Sequence, residues 1–432
     1  MTFRDFPYFH EDRVVNDKHV ASLVRFYESG CVPCDKYGVG VEIEHLPVRV
    51  STGEAVTYAQ PQGIREVLES LAPLYDAQYE YRDGEYLLGL RRGKIAISLE
   101  PGGQIEGSFG IMNSTEELNE LYAQFRADID PILERLGIRL LNYGYTPVSL
   151  ARDISIIPKH RYSAMNKYLG RVSSYGWNMM RVSASTQVSF DFSSEEDAIN
   201  KMRMAVAIGP ILAYFFRNTP FFEGKENVLP LLRQHMWEGI SSGRTGINPG
   251  LYDKDFSFEK AAIDALSTPL MAVDLTHTPE AVEAMGGPLV ANEHLEKLIY
   301  REPFANSAEV YPDRDLNEYE IMHIISTHFT DVRLKNFIEM RHWDSLPIDR
   351  ARILTDVVVN LMTKPSELNR LLGYFDGVRA IDVNAAKIDI QAHGDQSHPY
   401  GQSLEFWREF LHVEYTGEDI PGDPCNPDIF QK

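Results

Sequence analysis

The chain has 432 residues, of which 44% are hydrophobic and 24% charged, and its formal net charge is -21. This composition is that of a soluble globular protein, and the length allows roughly one large domain or two to three ordinary ones. The negative charge argues against nucleic acid as the main partner, because binding a phosphate backbone needs a basic face. It does not exclude a nucleotide, since a local group of Arg, Lys and Mg²⁺ can reverse the field inside a cleft.

Neither a membrane span nor a secretory signal is expected. The longest apolar run, 204–216, contains Gly209 and Pro210 and is too short to cross a bilayer. The first residues, MTFRDFPYFHEDR, lack an apolar segment. Three cysteines in so long a chain do not form a disulfide framework, so we expect a reducing cytoplasm. Cys31 and Cys34 form a lone CxxC without the further ligands of a zinc site, and two ordinary thiols are favoured over a redox pair.

Hydrophobic periodicity and turn residues divide the chain into helical and extended segments. The segment 179–192, MMRVSASTQVSFDF, alternates throughout, which predicts a strand with Arg181 and Gln187 on its polar face. In chain order the predicted segments are helix 10–30, strand 38–50, helix 64–72, strands 79–89 and 94–99, helix 115–136, strand 140–147, helix 159–169, strand 179–192, helix 193–217, a long loop 218–250, helix 316–329, strand 332–340, and helices at 349–364 and within 366–391.

This order of segments predicts an α/β (α+β) fold in a single domain over 1–432. Its core would lie at 38–345, with C-terminal helices at 349–391 packing on it. No strand has the continuous apolar character of a buried parallel sheet. We therefore expect a curved, mostly antiparallel sheet with one apolar face against helices and one polar face over a cleft.

Six oxygen-bearing side chains fall on the polar faces of the predicted strands. In 95–107, IAISLEPGGQIEG, a Pro-Gly-Gly turn carries the chain from Glu100 back to Glu106. Carboxylate and amide oxygens gathered on one concave face suit Mg²⁺ better than zinc. The alternative is a set of solvated glutamates, since most glutamates are exposed. The six side chains are Glu42, Glu44, Glu100, Glu106, Gln187 and Glu339.

Basic side chains fall near the same elements. A cleft with carboxylate-bound Mg²⁺ beside Arg and Lys suits a nucleotide triphosphate whose γ-phosphoryl group is transferred. No GxxxxGK[ST] motif occurs, so the protein is not of the P-loop class, and the glycines of 102–107 lie in a hairpin, which excludes a dinucleotide fingerprint. The alternative for the arginines is a role in surface solubility. The basic residues are Arg181, Arg244, Arg333, Lys335 and Arg341.

The most specific signal is a set of motifs in a fixed order: LEPGGQIEGS (99–108), PKHRYSAMNKYL (158–169), MMRVSASTQVSFDFSSEEDAI (179–199), RNTPFFEGKEN (217–227), GRTG (243–246) and DVRLKNFIEMRHWD (331–344). Over about 38–345 the chain resembles the glutamate–cysteine ligase family, closest to its plant-type and related bacterial branch. The resemblance implies a glutamine-synthetase-like and guanido-kinase-like catalytic fold. It also implies that ATP phosphorylates the γ-carboxylate of L-glutamate and that the amine of L-cysteine attacks the acyl phosphate, giving γ-glutamylcysteine, ADP and phosphate for glutathione or a related thiol.

The resemblance further implies roles for individual residues. The six oxygen-bearing side chains would bind Mg²⁺, with Mn²⁺ as a substitute. Lys335, Arg333 and Arg341 would contact the phosphates of ATP. Arg181 and Arg244, together with Arg341, would hold the glutamate carboxylates and the transferring phosphoryl group, because a bidentate guanidinium fits a carboxylate. The stretch VGVEIEHLPV departs from the plant-type frame, so the pairing of each carboxylate with an ion stays open.

Three alternatives remain. The first is a ligase of the same superfamily with another amine acceptor. The second is a catalytically silent, nucleotide-binding paralogue, which the complete set of six candidate ligands disfavours. The third is a phosphagen-type guanidino kinase, which would need a reactive cysteine that Cys31, Cys34 and Cys425 do not supply. The expected partners are L-glutamate, L-cysteine and ATP, with neither nucleic acid nor a membrane, for a monomer or homodimer in the cytoplasm.

Overall fold

The computed structural model describes residues 15–240, 243–272 and 306–414. Nine strands in this part of the chain form one sheet, in the order β12-β13-β7-β1-β5-β4-β3-β2 with β6 beside the end of β1, and every neighbouring pair is antiparallel. The strands, including two short pairs outside this sheet, are β1 Val39–Arg49, β2 Tyr81–Asp83, β3 Tyr86–Arg92, β4 Ile95–Leu99, β5 Ile105–Met112, β6 Ile138–Leu141, β7 Ser185–Phe190, β8 Phe221–Phe222, β9 Lys225–Glu226, β10 Thr245–Gly246, β11 Phe329–Thr330, β12 Val332–Leu334 and β13 Ile338–Asp344.

Each predicted helix has a counterpart in the structure, which adds, within the part of the chain it describes, five helices that were not predicted, at 176–182, 232–238, 258–267, 307–310 and 404–410. None of the α-helices in the described ranges is both long and apolar enough to span a bilayer. They are α1 Asp17–Glu28, α2 Ile64–Leu71, α3 Glu116–Leu136, α4 His160–Val172, α5 Gly176–Val182, α6 Glu195–Phe215, α7 Leu232–Glu238, α8 Phe258–Ser267, α9 Ser307–Val310, α10 Glu318–Ile325, α11 Ile348–Thr363, α12 Pro365–Tyr374, α13 Ala380–His393 and α14 Leu404–Phe410.

One face of the sheet is covered by helices. In β1 the odd positions Val41 and Ile43 are fully buried on this side, while the even positions carry the glutamates. Helices α3, α6 and α11 pack against the apolar face, and α12 and α13 pack behind α6, so α6 is buried almost all round. The predicted antiparallel sheet with one apolar and one polar face is therefore confirmed, because alternation in the strands already separated the two faces.

The predicted strand 179–192 is wrong in its first third. Residues 176–182 form α5, and the strand begins only at Ser185. Met179, Met180 and Val182 are all buried, because the short helix packs against α4 and α7 on different sides. An apolar pattern over so few residues fits both a buried helix and a strand. Arg181 therefore does not share a strand face with Gln187.

Two further predicted strands are hairpins. The segment 332–340 is β12 followed by β13, and it turns back at 335–337, so that Arg333 lies opposite Glu339. The segment 79–89 likewise contains the β2–β3 hairpin. The predicted loop 218–250 contains the β8–β9 pair, α7 and β10. Cys31 and Cys34 are free and exposed, whereas Cys425, the start of the predicted helix 10–30 and the first residues lie outside the described ranges.

The Pro-Gly-Gly turn between β4 and β5 is fixed against the end of α5. Gly102 passes so close to the backbone of Arg181 that a Cβ there would overlap its carbonyl oxygen, and Gly103 has a φ of +91°. The amide of Gln104 accepts a hydrogen bond from the Gly102 N–H at 2.8 Å and donates to the Ser183 carbonyl at 2.8 Å. Glycine at these positions is therefore a steric requirement, and it sets the position of Glu100.

Gly102→Ala is expected to damage this turn. The new methyl group would overlap a backbone atom, which cannot move aside as a side chain can, so we expect a loss of roughly 1–3 kcal/mol of unfolding free energy. Gly373→Ala is the matched control, because a Cβ at Gly373 in α12 meets nothing within 4 Å and alanine favours a helix. Urea unfolding monitored by circular dichroism measures both. Equal stability of the two variants would contradict the docking of the turn.

Candidate active site

Strand register brings four of the predicted polar side chains together on the open face of the sheet. Glu44 of β1 lies directly opposite Glu106 of β5, and Glu42 lies directly opposite Gln187 of β7. Both positions on β1 are even-numbered, so their side chains leave the sheet on the same side. Alternation puts these side chains on one face and the register brings the four of them together, which agrees with the sequence prediction.

Glu100 reaches the same place from the turn that follows β4. Its backbone N–H donates to the Gln104 carbonyl at 3.0 Å, and its carbonyl accepts from Gly103 at 2.9 Å. The hydroxyl of Tyr162 in α4 lies 3.5 Å from the Glu100 carboxylate. The turn thus holds a fifth oxygen donor above the strands.

These side chains line a cavity of about 250 Å³. One side of the lining, the acidic wall, carries Glu42, Glu44, Glu100 and Glu106. The other side, the basic wall, carries Arg233, Arg333 and Arg341. Methionine and aromatic side chains complete the lining. The predicted residues in the lining are Glu42, Glu44, Glu100, Glu106, Gln187, Arg333 and Arg341. The cavity therefore joins most of the predicted metal set to two of the predicted phosphate-binding residues.

Glu339 has a different environment from the other carboxylates. It is fully buried, and Arg333 and Lys335 each donate to it at 2.7 Å while Arg341 donates at 3.1 Å. Burial opposes its ionisation, but these three cations outweigh burial and hold the pKa of Glu339 well below its usual value. Both oxygens are thus occupied by protein cations, and Lys335 is directed to Glu339 rather than into the cavity lining.

Among the residues that the structure describes, none of the remaining carboxylates forms such an ion pair. Burial, followed by repulsion from Glu106 and Glu339, raises the pKa of Glu42 to about 8. Burial and neighbouring glutamates raise the pKa values of Glu100 and Glu106 to about 7. Neutral donors assist in part, since Ser98 and Ser108 donate to Glu106 at 2.7 and 3.1 Å. Because these carboxylates are buried and repel one another, a cation bound among them would stabilise their ionised form.

Glu44 is buried and accepts more hydrogen bonds from described residues than Glu42, Glu100 or Glu106. The backbone N–H and hydroxyl of Ser185 donate to it at 2.7 and 2.8 Å, and the amide of Gln187 donates at 3.0 Å. The other end of the Gln187 amide accepts from Arg341. Gln187 therefore connects the acidic wall to the basic wall.

Arg181 and Arg244 are not where the resemblance implied. Arg181 donates to the carbonyls of Ala151 and Ile154 at 3.2 and 3.1 Å and to Asn166 at 2.8 Å. Arg244 is 2% exposed and donates to the carbonyls of Pro269 and Thr327. Neither side chain is among the residues that line the cavity. Both guanidinium groups tie loops together by satisfying backbone carbonyls, so the assignment of these two arginines to substrate carboxylates is corrected.

Two functional candidates, Arg233 and Lys159, were missed by sequence reasoning, whereas the sequence leaves Trp237 open between packing on a substrate and packing in the core. Arg233 lines the cavity with 4% exposure, and its Nε has no hydrogen-bond partner within the described residues. Lys159, which lies in the PKHRYS motif at the start of α4, and Trp237, which follows Arg233 by one helical turn, line the same cavity. Arg233 was missed because α7 is short and lies in a stretch that was taken for a loop. The only available signal was its place beside the RNTPFFEGKEN motif.

The side chains of the cavity suit a metal ion by their chemical type, although they do not stand in a ready coordination geometry. Within the described residues, no three His, Cys, Asp or Glu side chains stand close enough together to hold an ion without rearrangement. The donor set of four carboxylates and one amide is nonetheless the type that Mg²⁺ prefers. The raised carboxyl pKa values reflect burial and the mutual repulsion of these glutamates, which a bound cation would offset.

Comparison with known proteins identifies the family. A family model described as glutamate-cysteine ligase family 2 matches residues 38–369. The chain belongs to the glutamate–cysteine ligase family. It is 32% identical to the chloroplastic glutamate–cysteine ligase of Medicago truncatula over 369 residues, which is 84% of this chain and 68% of that protein. It is also 32% identical to the chloroplastic glutamate–cysteine ligase of Arabidopsis thaliana over 355 residues, which is 81% of this chain and 64% of that protein.

A solved structure of a glutamate–cysteine ligase from Francisella tularensis in complex with AMP aligns with 83% of this chain and 72% of that chain, at 14% identity and a TM-score of 0.46. Family membership makes the protein a ligase. The resemblance drawn from motifs is therefore confirmed, and the family match extends past residue 345, through α11 and into α12.

Rising pH should destabilise the metal-free ligase through Glu42. Its folded pKa of about 8 is raised above the ordinary value of 4.5, so its contribution is fully present below that ordinary value and is lost as the pH rises through about 8. Glu42→Gln removes this ionisation. We expect the substitution to raise the unfolding free energy by roughly 1–3 kcal/mol near pH 8.5 and to change it little near pH 5.

Urea unfolding in the presence of a chelator measures this difference. The exposed Glu54 provides the control, since Glu54→Gln should have the same small effect at both pH values. A Glu42→Gln effect that does not depend on pH would show that Glu42 ionises normally and would contradict the description of the acidic wall.

Proposed function

We propose that this ligase uses ATP to join the γ-carboxylate of L-glutamate to the amine of L-cysteine. The γ-carboxylate is first phosphorylated, and the amine then displaces phosphate to give γ-glutamylcysteine, with ADP as the other product. This is the first step towards glutathione or a related thiol. The observation that carries the proposal is the apposition, in one cavity of a glutamate–cysteine ligase family member, of an unpaired acidic wall and a basic wall.

The acidic wall would hold Mg²⁺, or Mn²⁺ in its place. Glu42, Glu100 and Glu106 are the primary candidates, because within the described residues their carboxylates form no ion pair of the kind that Glu339 makes. Glu44 and Gln187 would complete the oxygen set. Each would give up a hydrogen bond that its oxygen now accepts, Glu44 from the Gln187 amide and Gln187 from Arg341. Glu339 would have to release a cation to become a ligand, which makes it the least favoured of the six. Bound Mg²⁺ would neutralise charge on the ATP phosphates so that two anionic reactants can meet.

The basic wall would hold the anionic groups of the substrates. Arg333 and Arg341 lie beside Glu339 and also line the cavity, so they are suited to ATP phosphates. Arg233 is suited to a carboxylate of glutamate, because its buried Nε has no partner among the described residues and a guanidinium binds a carboxylate through two parallel hydrogen bonds. The ammonium of Lys159 lies 4.5 Å above the Tyr162 ring at the Glu100 side of the cavity.

The remaining wall favours a small, apolar acceptor side chain. Met165 of α4 and Met179 and Met180 of α5 line the cavity, together with the rings of Trp237 and Phe329. Aromatic rings make favourable contacts with sulfur, and the methionine side chains add apolar surface to this wall. Such a wall supports cysteine over serine as the acceptor, and it would also keep water away from the acyl phosphate.

Two alternatives are distinguished by simple observations. A ligase with another acceptor would release ADP fastest with an amine other than cysteine in a panel of amino acids. A silent nucleotide-binding paralogue would release none, and the five predicted oxygen donors that line the cavity argue against it. We also propose a cytoplasmic location and a monomeric or homodimeric state, the first from the low cysteine content of the chain.

ADP release should require glutamate, cysteine and Mg²⁺ together. Glu100→Gln should lower turnover at least about 100-fold, because an amide oxygen cannot balance the charge of the ion. Glu54→Gln should leave turnover unchanged. A coupled ADP assay with an acceptor panel, together with mass detection of the dipeptide, measures these effects. Near-normal turnover of Glu100→Gln, or ADP release without glutamate, would contradict the proposed site.

A further inference from the structure

A buried lysine outside the region that the family model matches contacts both segments that position Arg233 and Arg341 of the basic wall. Lys387 lies on α13, beyond the family match that ends at residue 369, and is only 5% exposed. Its ammonium lies 2.5 Å from the Asp331 carboxylate and 2.8 Å from that of Glu238. Both carboxylates belong to segments that carry cavity residues. Loss of one member of such a buried group leaves the others unpaired, which is strongly unfavourable.

Asp331 fixes the backbone of Arg341. The β13–β7 register shifts between Met340 and Trp343, so Arg341 lies in an irregular part of the ladder. Its N–H instead donates to the Asp331 carbonyl at 3.0 Å. The position of this cavity residue therefore depends on the loop between β11 and β12, which Lys387 holds through the Asp331 side chain.

Glu238 fixes the helix of Arg233. It is the last residue of α7, next to Trp237 and five residues after Arg233, and both of those residues line the cavity. Arg233 in turn donates to the Arg341 carbonyl at 2.6 Å. Contacts thus lead from Lys387 through Asp331 and Arg341 to Arg233, and α7 itself connects Arg233 to Glu238, which contacts Lys387 again.

We propose that Lys387 is a positioning residue that holds Arg233 and Arg341 in register with the acidic wall, which makes α13 part of the catalytic unit. The inference rests on the proposed function. It adds that substrate affinity depends on a residue that does not line the cavity and lies beyond the region shared with the family model.

Kinetics of Lys387→Met separate positioning from a merely structural role. Misplaced arginines bind anions weakly, so KM for glutamate or for ATP should rise at least 10-fold in the folded, soluble fraction. Loss of folded protein alone would lower the apparent kcat and leave KM unchanged. Lys364→Met, at an exposed lysine between α11 and α12, is the matched control and should keep both constants.

Two further variants keep the test decisive if Lys387→Met does not fold. Glu238→Gln is milder, since this carboxylate is 40% exposed, and it should raise the same KM about 3-fold. Addition of Asp331→Asn to Lys387→Met should recover part of the lost kcat/KM, because the buried Asp331 carboxylate is then no longer left without a cation, while Glu238 is 40% exposed and can be solvated. Unchanged KM values in Glu238→Gln and in any folded Lys387 variant would overturn the inference, whereas a wild-type enzyme without ligase activity would instead overturn the proposed function.

Discussion

The arrangement on which the rest of this structure depends is a cluster of carboxylates on the open face of a sheet, two of them directly opposite each other. Glu44 and Glu106 are cross-strand neighbours, and like charges in that position oppose pairing of the strands. The fold tolerates them because the other face of β1 and β5 is packed against helices, and because serine hydroxyls donate to both carboxylates. The residual electrostatic cost appears as the raised carboxyl pKa values, and a bound cation would remove it.

The two walls of the cavity differ in how the charges of their side chains are balanced. On the basic side, Glu339 accepts from Arg333, Lys335 and Arg341, so three cations can stand together without strong mutual repulsion. On the acidic side, as far as the structure describes the chain, no protein cation forms an ion pair with a carboxylate, and the link to the basic side is the hydrogen bond that Gln187 accepts from Arg341. The asymmetry matches a reaction in which metal ions enter on one side and phosphate or carboxylate groups on the other. It also explains why one carboxylate of the predicted metal set behaves differently from the rest.

Much of this site could be predicted from sequence, and the failures have physical reasons. Strand alternation placed Glu42 and Glu44 on one face, and a glycine turn returned the chain from Glu100 to Glu106. Alternation failed at Arg181, where a short buried helix imitates a strand. Alternation also could not show that Arg181 donates to the carbonyls of Ala151 and Ile154, because these partners are distant in sequence. The same holds for Arg244, which donates to the Pro269 carbonyl. Arg233 was missed because its helix has only seven residues, and Lys387 because nothing local distinguishes a buried lysine from an exposed one.

Proton release on metal binding tests the central claim most directly. Glu42, Glu100 and Glu106 have pKa values of about 7 to 8, so some of these groups carry protons at neutral pH that Mg²⁺ must displace. Calorimetric titration of the nucleotide-free protein with Mg²⁺, in two buffers of different ionisation enthalpy, counts those protons. The account predicts release of roughly one proton or more per chain near pH 7 and almost none near pH 9. Binding of Mg²⁺ near pH 7 without proton release would show that the carboxylates are already ionised, and it would contradict the account.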